Sequence, residues 1–554
     1  MKAATDPAPP IRLWIWGLLV TIIALLTRLK PMGDVFQDYA LVPFGPDTSY
    51  HLWRIVETVA VGAPPRFDPF LNAPFGARVI WPDGFDGALG WVIRLMLGSD
   101  AQRAQIEAAA FLMLPALGTL SVWVIYLLAR QLAPRHVALL AAGLAALLPA
   151  HLMLAVVGRI DHHLLEAILP VISLVLICRT ATSAKKDWRT LGLGGALAGI
   201  PLALLIFTVP AALLHLGPLG VAITLAALRA LQLGKAPTAA ALFRTTGLAF
   251  AVALLLVLPF SLQRQGWAAY QPSRLPLAFL ASGSVVTLLL TWITRFGLRA
   301  VLASVVTVAL LALAVAWGML GDAMDFVGRG GIIQLLGESQ PIWRVWRNLL
   351  VLHTPGLLVT PVLFVLLLRS KDLSRVAVGA LGLVGLSLTC MQMRFGVVLM
   401  VPETIAWAMG LSWLWRRRRR AGPALAVAAA LIFIYPAARF AWGFRVLSPE
   451  RLGLMEAGLW LKANTPYPGS RRGKASYAIL TQWDMGNQLA YRADRPMVVG
   501  AMYHGDHQRG LEDMLTMLFG DRAAAQKLLR QRKIRYLVLP QLSPGMAQQN
   551  RALV

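Results

Sequence analysis

The chain has 554 residues, of which 57% are hydrophobic and only 14% are charged. With a mean hydropathy of +0.64, this composition is too apolar for a soluble globular protein and predicts a membrane protein. The formal net charge of +26 comes largely from basic residues beside apolar runs, where they face anionic lipid headgroups, so it does not indicate a nucleic-acid-binding protein.

Apolar runs long enough to cross a bilayer as helices fill most of the chain before residue 443. The first run ends in TRLK without a small-residue cleavage pattern, so we expect an uncleaved span rather than a signal peptide. The pattern predicts a polytopic α-helical membrane protein with about 13 transmembrane helices. The runs lie near residues 11–29, 107–128, 136–157, 164–178, 191–206, 209–227, 246–262, 277–294, 300–318, 348–368, 376–391, 395–414 and 423–440.

Basic residues recur in every second connection between these runs, for example in RTATSAKKDWR, RSKDLSR and the RRRRR run at 416–420. Because Lys and Arg near span ends mark the cytoplasmic side, this alternation predicts a cytoplasmic N-terminus in the cell (inner) membrane. An odd number of spans then places the C-terminal segment outside. We expect a transmembrane domain over 1–443 and an extracytoplasmic domain over 444–554.

Two outer segments, 30–106 and 319–347, are too long to be simple turns, and long loops commonly carry function. In the first loop, Asp47 stands just before SYHLWRIVETV, whose apolar spacing predicts an amphipathic surface helix. An Asp in that place is also typical of a helix N-cap. Asp47 alone therefore leaves a structural and a catalytic role open.

Residues 158–166 read GRIDHHLLE and lie between two long apolar runs. Asp161, His162 and His163 present a carboxylate and imidazole nitrogens at the outer membrane boundary, a combination that suits Mg²⁺ or Mn²⁺. Helix capping and hydrogen bonding at the headgroup level account for the same residues. The motif by itself leaves both interpretations open.

The segment after the last apolar run predicts a compact external α/β domain. In chain order its predicted elements are a strand YAILTQ, a turn WDMG, a helix NQLAYRA, a strand PMVVG, a helix DRAAAQKLLRQRK and a strand RYLVLP.

Several of these segments resemble motifs of the oligosaccharyltransferase catalytic subunit family. TQWDMGNQLAYRADRPMVVG resembles the WWDYG segment of that family, and GRIDHHLLE resembles its second acidic motif in the DHH form. DTSYHLWRIVE is similar to the first-loop Asp motif, and QRKIRYLVLP to the closing helix and strand. The resemblance implies the C-type glycosyltransferase fold, extends over nearly the whole chain and follows the same order.

The resemblance also implies an activity and a set of residues. A glycan moves from a polyprenyl-diphosphate-linked donor to Asn of an Asn-x-Ser/Thr acceptor on the outer face, with inversion at the anomeric carbon, and a single subunit suffices. It implies that Asp47, Asp161 and His163 bind a divalent metal ion, Mn²⁺ or Mg²⁺, and that Glu338 is catalytic together with Asp47. Arg394 in MQMRF matches the arginine that contacts the donor diphosphate.

For the acceptor, the resemblance implies that the WDMG turn binds the Ser or Thr two residues after Asn, with Trp483, Asp484 and Gly486 as the matching positions. The chain departs from the family motif at Gln482, which replaces the first Trp, and at Met485, which replaces the Tyr. These changes affect the expected recognition of Ser and Thr more than the expected chemistry of transfer.

Two other functions fit parts of the sequence. A related polyprenyl-dependent glycosyltransferase of the same fold would use the first-loop Asp but modify a lipid, a glycan or a hydroxyl group, and it would not need WDMG. A transporter for a lipid-linked saccharide would need ionisable groups near mid-membrane, whereas the acidic residues here cluster at the outer ends of the spans. The favoured partners are a polyprenyl-diphosphate-linked oligosaccharide, an acceptor protein or peptide, and membrane lipids.

Overall fold

The computed structural model describes residues 10–37, 40–79, 81–183, 187–209, 211–263, 271–328, 340–417, 421–469, 475–501 and 506–540. Most of these residues are helical. In chain order the α-helices are α1 (Pro10–Leu29), α2 (Met32–Val35), α3 (Pro46–Val61), α4 (Gly84–Leu97), α5 (Arg103–Arg130), α6 (Arg135–Leu147), α7 (Pro149–Met153), α8 (His163–Thr182), α9 (Trp188–Thr208), α10 (Leu213–Gln232), α11 (Ala236–Gln263), α12 (Gln271–Ile293), α13 (Leu298–Gly328), α14 (Ile342–Leu352), α15 (Thr360–Leu368), α16 (Leu373–Met391), α17 (Gly396–Arg417), α18 (Ala421–Gly443), α19 (Pro449–Asn464), α20 (Gly486–Ala493), α21 (Asp506–Phe519) and α22 (Arg522–Gln531).

In the described ranges, ten helical segments are long and apolar enough to cross a membrane, and two shorter apolar helices cover Arg135–Leu147 and Leu298–Ala314. These twelve correspond to twelve of the predicted runs. The remaining run, 348–368, is divided between α14, a 3-10 turn at Pro355–Leu358 and α15. Thr354 adopts φ +62°, and Pro355 and Pro361 supply no backbone N–H, so a continuous helix cannot form there.

The central bundle packs α5 to α11 with α15 to α17 around one large apolar core. Small residues allow close helix contacts in this core. At Gly199, for example, an added Cβ would lie 2.6 Å from the Ala249 carbonyl oxygen of the neighbouring helix α11. Such small-residue contacts are typical of helices that associate within a membrane.

The first loop folds into α2, α3 and α4 with two short antiparallel strand pairs, β1 (Phe36–Gln37) with β2 (Ala40–Leu41) and β3 (Phe67–Asp68) with β4 (Ala77–Arg78). The predicted amphipathic helix is α3, which buries Leu52, Ile55 and Val59 against α4 and α5. Gly45 is the N-cap residue of α3, whereas Asp47 lies inside its first turn. The N-cap interpretation of Asp47 is therefore wrong.

The C-terminal segment forms a two-stranded parallel sheet, β5 (Ala478–Thr481) with β6 (Ile534–Val538), surrounded by α19 to α22. The predicted strand over residues 496–500 forms only one isolated bridge, between Met497 and Ile479. Its backbone is bonded on two sides. Ile479 N of β5 donates to Pro496 O at 2.8 Å and Val498 N donates to Ile479 O at 3.0 Å, while toward the first loop Met497 N donates to Phe70 O at 2.7 Å and Met497 O accepts from Ala73 N at 3.0 Å. The first loop and the C-terminal segment thus share backbone hydrogen bonds.

Candidate active site

The segment that carries Asp161 is a tight loop between α7 and α8. Gly158 adopts φ +85°, and a Cβ there would lie 2.6 Å from Val35 Cγ2, so the turn needs glycine. Asp161 is 3% exposed, and its Oδ2 lies 2.7 Å from Arg159 Nη2. Burial alone would raise the pKa of the Asp161 carboxyl, but the charges of His163 and Arg159 outweigh burial and hold that pKa well below its usual range. The buried carboxylate is therefore ionised.

The His162 ring is enclosed by aromatic neighbours, with its centroid 4.9 Å from Trp81 and 4.6 Å from His163. Its Nδ1 lies 3.3 Å from Asp161 Oδ1, yet it makes no hydrogen bond within the part of the chain that the structure describes. Burial, together with the positive charge of His163, lowers the pKa of His162 to about 3. The ring is therefore neutral at physiological pH and offers a nitrogen lone pair.

His51 of α3 reaches this cluster from the first loop. Its Nδ1 lies 2.6 Å from Asp86 Oδ1, and Asp86 Oδ2 lies 2.6 Å from Arg54 Nη1. Burial alone would lower the pKa of His51, but the Asp86 charge and hydrogen bond raise it. Burial likewise would raise the pKa of Asp86, but His51 and Arg54 lower it. This network fixes the ring orientation of His51.

Glu166, one helical turn after His163 on α8, joins two histidines. Its Oε2 is hydrogen-bonded to His163 Nδ1, and its Oε1 lies 2.6 Å from Nε2 of His215, near the start of α10. The other ring nitrogen of His163, Nε2, lies 3.6 Å from Asp161 Oδ2. Glu166 and Asp161 therefore hold the His163 ring between two carboxylates.

Two overlapping groups of side chains in the described ranges could hold a metal ion: His51, Asp161 and His162, and His162, His163 and Glu166. Within each group the possible ligand atoms all lie within 4.8 Å of one another. Carboxylate oxygen together with imidazole nitrogen suits a divalent ion such as Mn²⁺ or Zn²⁺ better than an all-oxygen site does. The donor set thus fits a divalent cation.

Asp47 belongs to neither of these groups, but its chain neighbour Thr48 connects α3 to the Asp161 loop. Thr48 Oγ1 accepts from Ile160 N at 3.1 Å and donates to Phe44 O at 2.8 Å. The structure therefore brings the first-loop Asp motif and the DHH motif side by side.

Arg394 lies on a 3-10 turn, Met393–Phe395, between α16 and α17. Its side chain is half-buried. Met393 N donates to Gln340 O at 3.1 Å, which ties this turn to the start of α14. Glu338 lies outside the described residues.

The WDMG turn connects β5 to α20. Trp483 is 9% exposed and packs with Val498 and Met514. At Gly486 an added Cβ would lie 1.8 Å from the Val499 carbonyl oxygen, so the turn requires glycine. Met514 belongs to the segment EDMLTML in α21, which the structure thereby places in the same apolar cluster as the tryptophan.

Asp484 is partly buried in this turn, and its Oδ1 has no hydrogen-bond partner among the described residues. Burial raises the pKa of the Asp484 carboxyl. Burying an acceptor atom without a hydrogen-bond donor costs folding free energy, and a bound molecule that supplies a donor removes this cost. The turn therefore offers an acceptor atom suited to an incoming hydroxyl or N–H group.

Several residues of this site were not predicted from the sequence, namely His51, Arg54, Asp86, Glu166 and His215. The i,i+3 spacing of His163 and Glu166 on one helix face was a usable signal. No local pattern connects His51 with Asp86 or Glu166 with His215, because these contacts depend on how separate helices pack.

A bundle of helices long and apolar enough to cross a membrane, with a buried carboxylate–imidazole cluster where it meets the first loop, has the C-type glycosyltransferase fold. The chain belongs to the oligosaccharyl transferase STT3 family, since the model of the N-terminal part of that family matches residues 18–417. It is an integral membrane glycosyltransferase. The resemblance seen in the sequence motifs is confirmed.

Curated relatives come from the archaeon Archaeoglobus fulgidus. Its dolichyl-phosphooligosaccharide-protein glycotransferase 2 is 26% identical over 566 aligned positions, which cover 94% of this chain and 85% of that protein. Its dolichyl-phosphooligosaccharide-protein glycotransferase 1 is 30% identical over 186 positions, 33% of this chain and 29% of that protein.

Solved structures share the fold. The archaeal oligosaccharyltransferase AglB from Archaeoglobus fulgidus, in complex with an inhibitory peptide and a dolichol-phosphate, superposes with a TM-score of 0.73 at 18% identity, over 95% of this chain and 69% of that one. A complex of the oligosaccharyltransferase from the same organism with Zn and sulfate gives a TM-score of 0.72 at 18% identity, over 95% and 67% of the two chains.

Proposed function

We propose that this glycosyltransferase moves an oligosaccharide from a polyprenyl-diphosphate carrier to the side-chain amide of Asn in an Asn-x-Ser/Thr acceptor. The observation that carries the proposal is the ionised, buried Asp161 within a carboxylate–imidazole cluster beside the first-loop Asp motif. Relatives named for protein glycosylation, and related structures with a bound peptide or dolichol-phosphate, support this choice of donor and acceptor.

Asp47, Asp161 and His163 would hold a divalent cation, Mn²⁺ or Mg²⁺. The fit rests on this chain's own atoms. Asp161 is charged, His163 Nε2 lies 3.6 Å from Asp161 Oδ2, and His162 adds a buried nitrogen that lacks a hydrogen bond in the described part of the chain. A related oligosaccharyltransferase structure contains Zn. When bound, the cation supplies Lewis-acid stabilisation of the negative charge on the departing diphosphate.

The chain's own residues would divide the remaining work. Arg394 would bind the donor diphosphate through charge-assisted hydrogen bonds and so stabilise it as it leaves. Asp47 and Glu338 would accept hydrogen bonds from the acceptor amide N–H groups and weaken the conjugation that makes an amide nitrogen a poor nucleophile. The N–C bond would form, from the face opposite the diphosphate, as the C–O bond to the diphosphate breaks, so the anomeric configuration inverts. The nitrogen would lose one N–H proton to a carboxylate that accepts its hydrogen bond.

The WDMG turn would select the acceptor. Asp484 has a buried oxygen without a donor among the described residues, which would accept the Ser or Thr hydroxyl, while Trp483 packs behind it. An acceptor that lacks the hydroxyl would leave this oxygen unpaired, which is the physical basis of strong discrimination. Gly486 would allow the turn to approach residue 499 closely enough to shape this surface.

The basic connections between spans support a cytoplasmic N-terminus and an outer active site, with residues 444–554 as an external acceptor-binding domain. We propose that the enzyme works in the cell (inner) membrane as a single subunit. Its substrates would then meet at the outer membrane surface, where the cluster and the WDMG turn are joined by the first loop.

The test is mass spectrometry of three peptides incubated with purified protein, Mn²⁺ and a lipid-linked oligosaccharide extract. The peptides contain Asn-x-Thr, Gln-x-Thr and Asn-x-Ala. We expect a sugar adduct on Asn of the first peptide alone. Metal-dependent consumption of the donor without any peptide adduct would contradict the acceptor and favour a related glycosyltransferase acting on a lipid, a glycan or a hydroxyl group.

A further inference from the structure

A groove opens at the end of the bundle opposite the Asp161 cluster. It lies between α6, α15 and α17, beside the connection from α5 to α6. Helix α5 has 28 residues, which at 1.5 Å per residue separates its ends by about 40 Å. Its first residue, Arg103, lies near Asp494 of the C-terminal segment, so the groove lies a full membrane thickness away.

The groove has a volume of about 430 Å³, and its walls are mostly apolar. Val137, Leu363, Leu366, Met409 and Trp413 line it. Leu366 and Trp413 are 45% and 46% exposed, so the groove opens sideways on the membrane-facing surface of the bundle. Walls of this kind fit an acyl chain rather than a water-soluble ligand.

One end of the groove is basic, because Arg369, Arg375 and Arg416 line it. Arg375 donates from Nε and Nη2 to Leu132 O at 3.0 and 2.7 Å. Arg416 Nη2 lies 2.9 Å from His136 Nε2. Two of the three guanidinium groups are therefore positioned, Arg375 by the connection between α5 and α6 and Arg416 by the first turn of α6.

This basic end carries little compensating negative charge. Among the described residues, one carboxylate forms an ion pair with any of these arginines: Asp372, whose Oδ2 lies 3.5 Å from Arg375 Nε. A fourth arginine, Arg229, adds charge nearby and donates to the carbonyl oxygens of Arg369 and Ser370 at 3.2 and 3.3 Å. The apolar wall and the cationic end together match a molecule with one hydrocarbon end and one anionic end.

We propose that this groove is a binding site for an anionic glycerophospholipid. Its phosphate would contact Arg369 and Arg416, and one acyl chain would lie along Leu363 and Met409. Basic pockets between membrane helices are typical sites for anionic headgroups. The polyprenyl-diphosphate donor shares the phosphate chemistry, but it reacts at the opposite end of the bundle. This site does not depend on the proposed acceptor or metal.

The experiment measures retention of phosphatidylglycerol and of phosphatidylcholine with identical acyl chains on the full-length purified protein, by native mass spectrometry across a lipid titration. The test variant carries Arg369→Gln and Arg416→Gln. The control carries Arg179→Gln and Arg189→Gln. Arg179 lies in the last turn of α8 and Arg189 in the first turn of α9, so the control removes the same amount of charge as the test variant. All four arginines lie near helix ends, so the variants are expected to fold.

We expect the wild type to retain phosphatidylglycerol in preference to phosphatidylcholine. Loss of two basic contacts should weaken phosphatidylglycerol binding about thirtyfold, whereas the control should bind within about twofold of wild type, because neither Arg179 nor Arg189 lines the groove. Met409→Trp should also displace the lipid, because it fills the apolar wall without a change in charge. Equal binding of the two lipids, or equal weakening in both double variants, would overturn the proposal.

Discussion

At Asp161, neighbouring cations keep a carboxylate charged inside the protein, although burial by itself would favour its neutral form. The local motif GRIDHHLLE places Asp161 beside His163 but by itself leaves their role open. It could not predict His51, because His51 is held by Asp86, 35 positions along the chain, through the packing of α3 on α4. Local spacing reveals contacts within one turn of helix, and tertiary packing supplies the others.

Glu166 is predicted to act through His163. Glu166→Gln removes the charge that orients the His163 ring, and loss of such a supporting contact typically weakens metal affinity 10- to 100-fold. Isothermal titration with Mn²⁺ measures this directly, without any turnover. Glu107→Gln is the matched control, because Glu107 is a buried acid of α5 bonded to Tyr491 and Arg103. Unchanged Mn²⁺ affinity in Glu166→Gln would contradict the positioning role.

Acceptor recognition is predicted to depend on pH through Asp484. Its raised pKa means that the carboxylate becomes protonated at a higher pH than an exposed Asp, and the protonated form accepts hydrogen bonds less well. The KM for an Asn-x-Thr peptide should therefore rise as the pH falls toward 5, while the KM for the lipid donor should not. Asp484→Asn should remove this pH dependence. A parallel rise of the peptide KM in the Asn variant would show that another group titrates.

At the scale of elements, composition predicts spans well because a bilayer demands long apolar helices, and twelve of the predicted runs are such helices or shorter apolar ones. The run 348–368 differs, because Pro355 and Pro361 interrupt it. Hydropathy does not distinguish a continuous helix from two short ones. The tail shows a similar limit, since the segment 496–500 has strand-like residues and bonds to β5, but its other backbone partners lie in the first loop.

Gly486 is predicted to set the shape of the WDMG turn. Gly486→Ala would place a Cβ 1.8 Å from the Val499 carbonyl oxygen, so the turn must shift. Overpacking of this kind typically costs about 1–3 kcal/mol of folding free energy. Thermal unfolding should show a lower Tm, and the peptide KM should rise. The matched control is Gly453→Ala in α19, where an added Cβ contacts nothing within 4 Å; an equal drop in Tm there would refute the steric explanation.

At the scale of the whole molecule, the proposed function requires that the first loop and the C-terminal segment remain joined. Arg532, which is fully buried, holds them together. It donates to Asn72 Oδ1 at 2.8 Å and to Ala73 O at 2.9 Å, and it pairs with Asp513 at 2.6 Å. The sequence could not predict the contacts with Asn72 and Ala73, because these residues lie 460 and 459 positions from Arg532.

Arg532→Leu is predicted to loosen this junction. It leaves the Asp513 carboxylate mostly buried without its cation, and loss of one partner of a buried pair typically costs about 3–5 kcal/mol. Hydrogen exchange of α21 should accelerate strongly, while exchange in the central bundle should stay unchanged. Arg530→Leu, at an exposed position of α22, is the control. Exchange of α21 at the wild-type rate in Arg532→Leu would mean that other contacts hold the junction.

The most direct test of the proposed activity is the initial rate of peptide glycosylation as a function of Mn²⁺ concentration in three proteins: wild type, Asp161→Asn and Asp187→Asn. Asp187 caps α9, where its carboxylate accepts from Thr190 N at 2.7 Å. We predict that Asp161→Asn lowers the rate at least about a hundredfold and raises the Mn²⁺ requirement, while Asp187→Asn stays within about twofold of wild type. A wild-type rate and Mn²⁺ dependence in Asp161→Asn would contradict an active site built on this carboxylate.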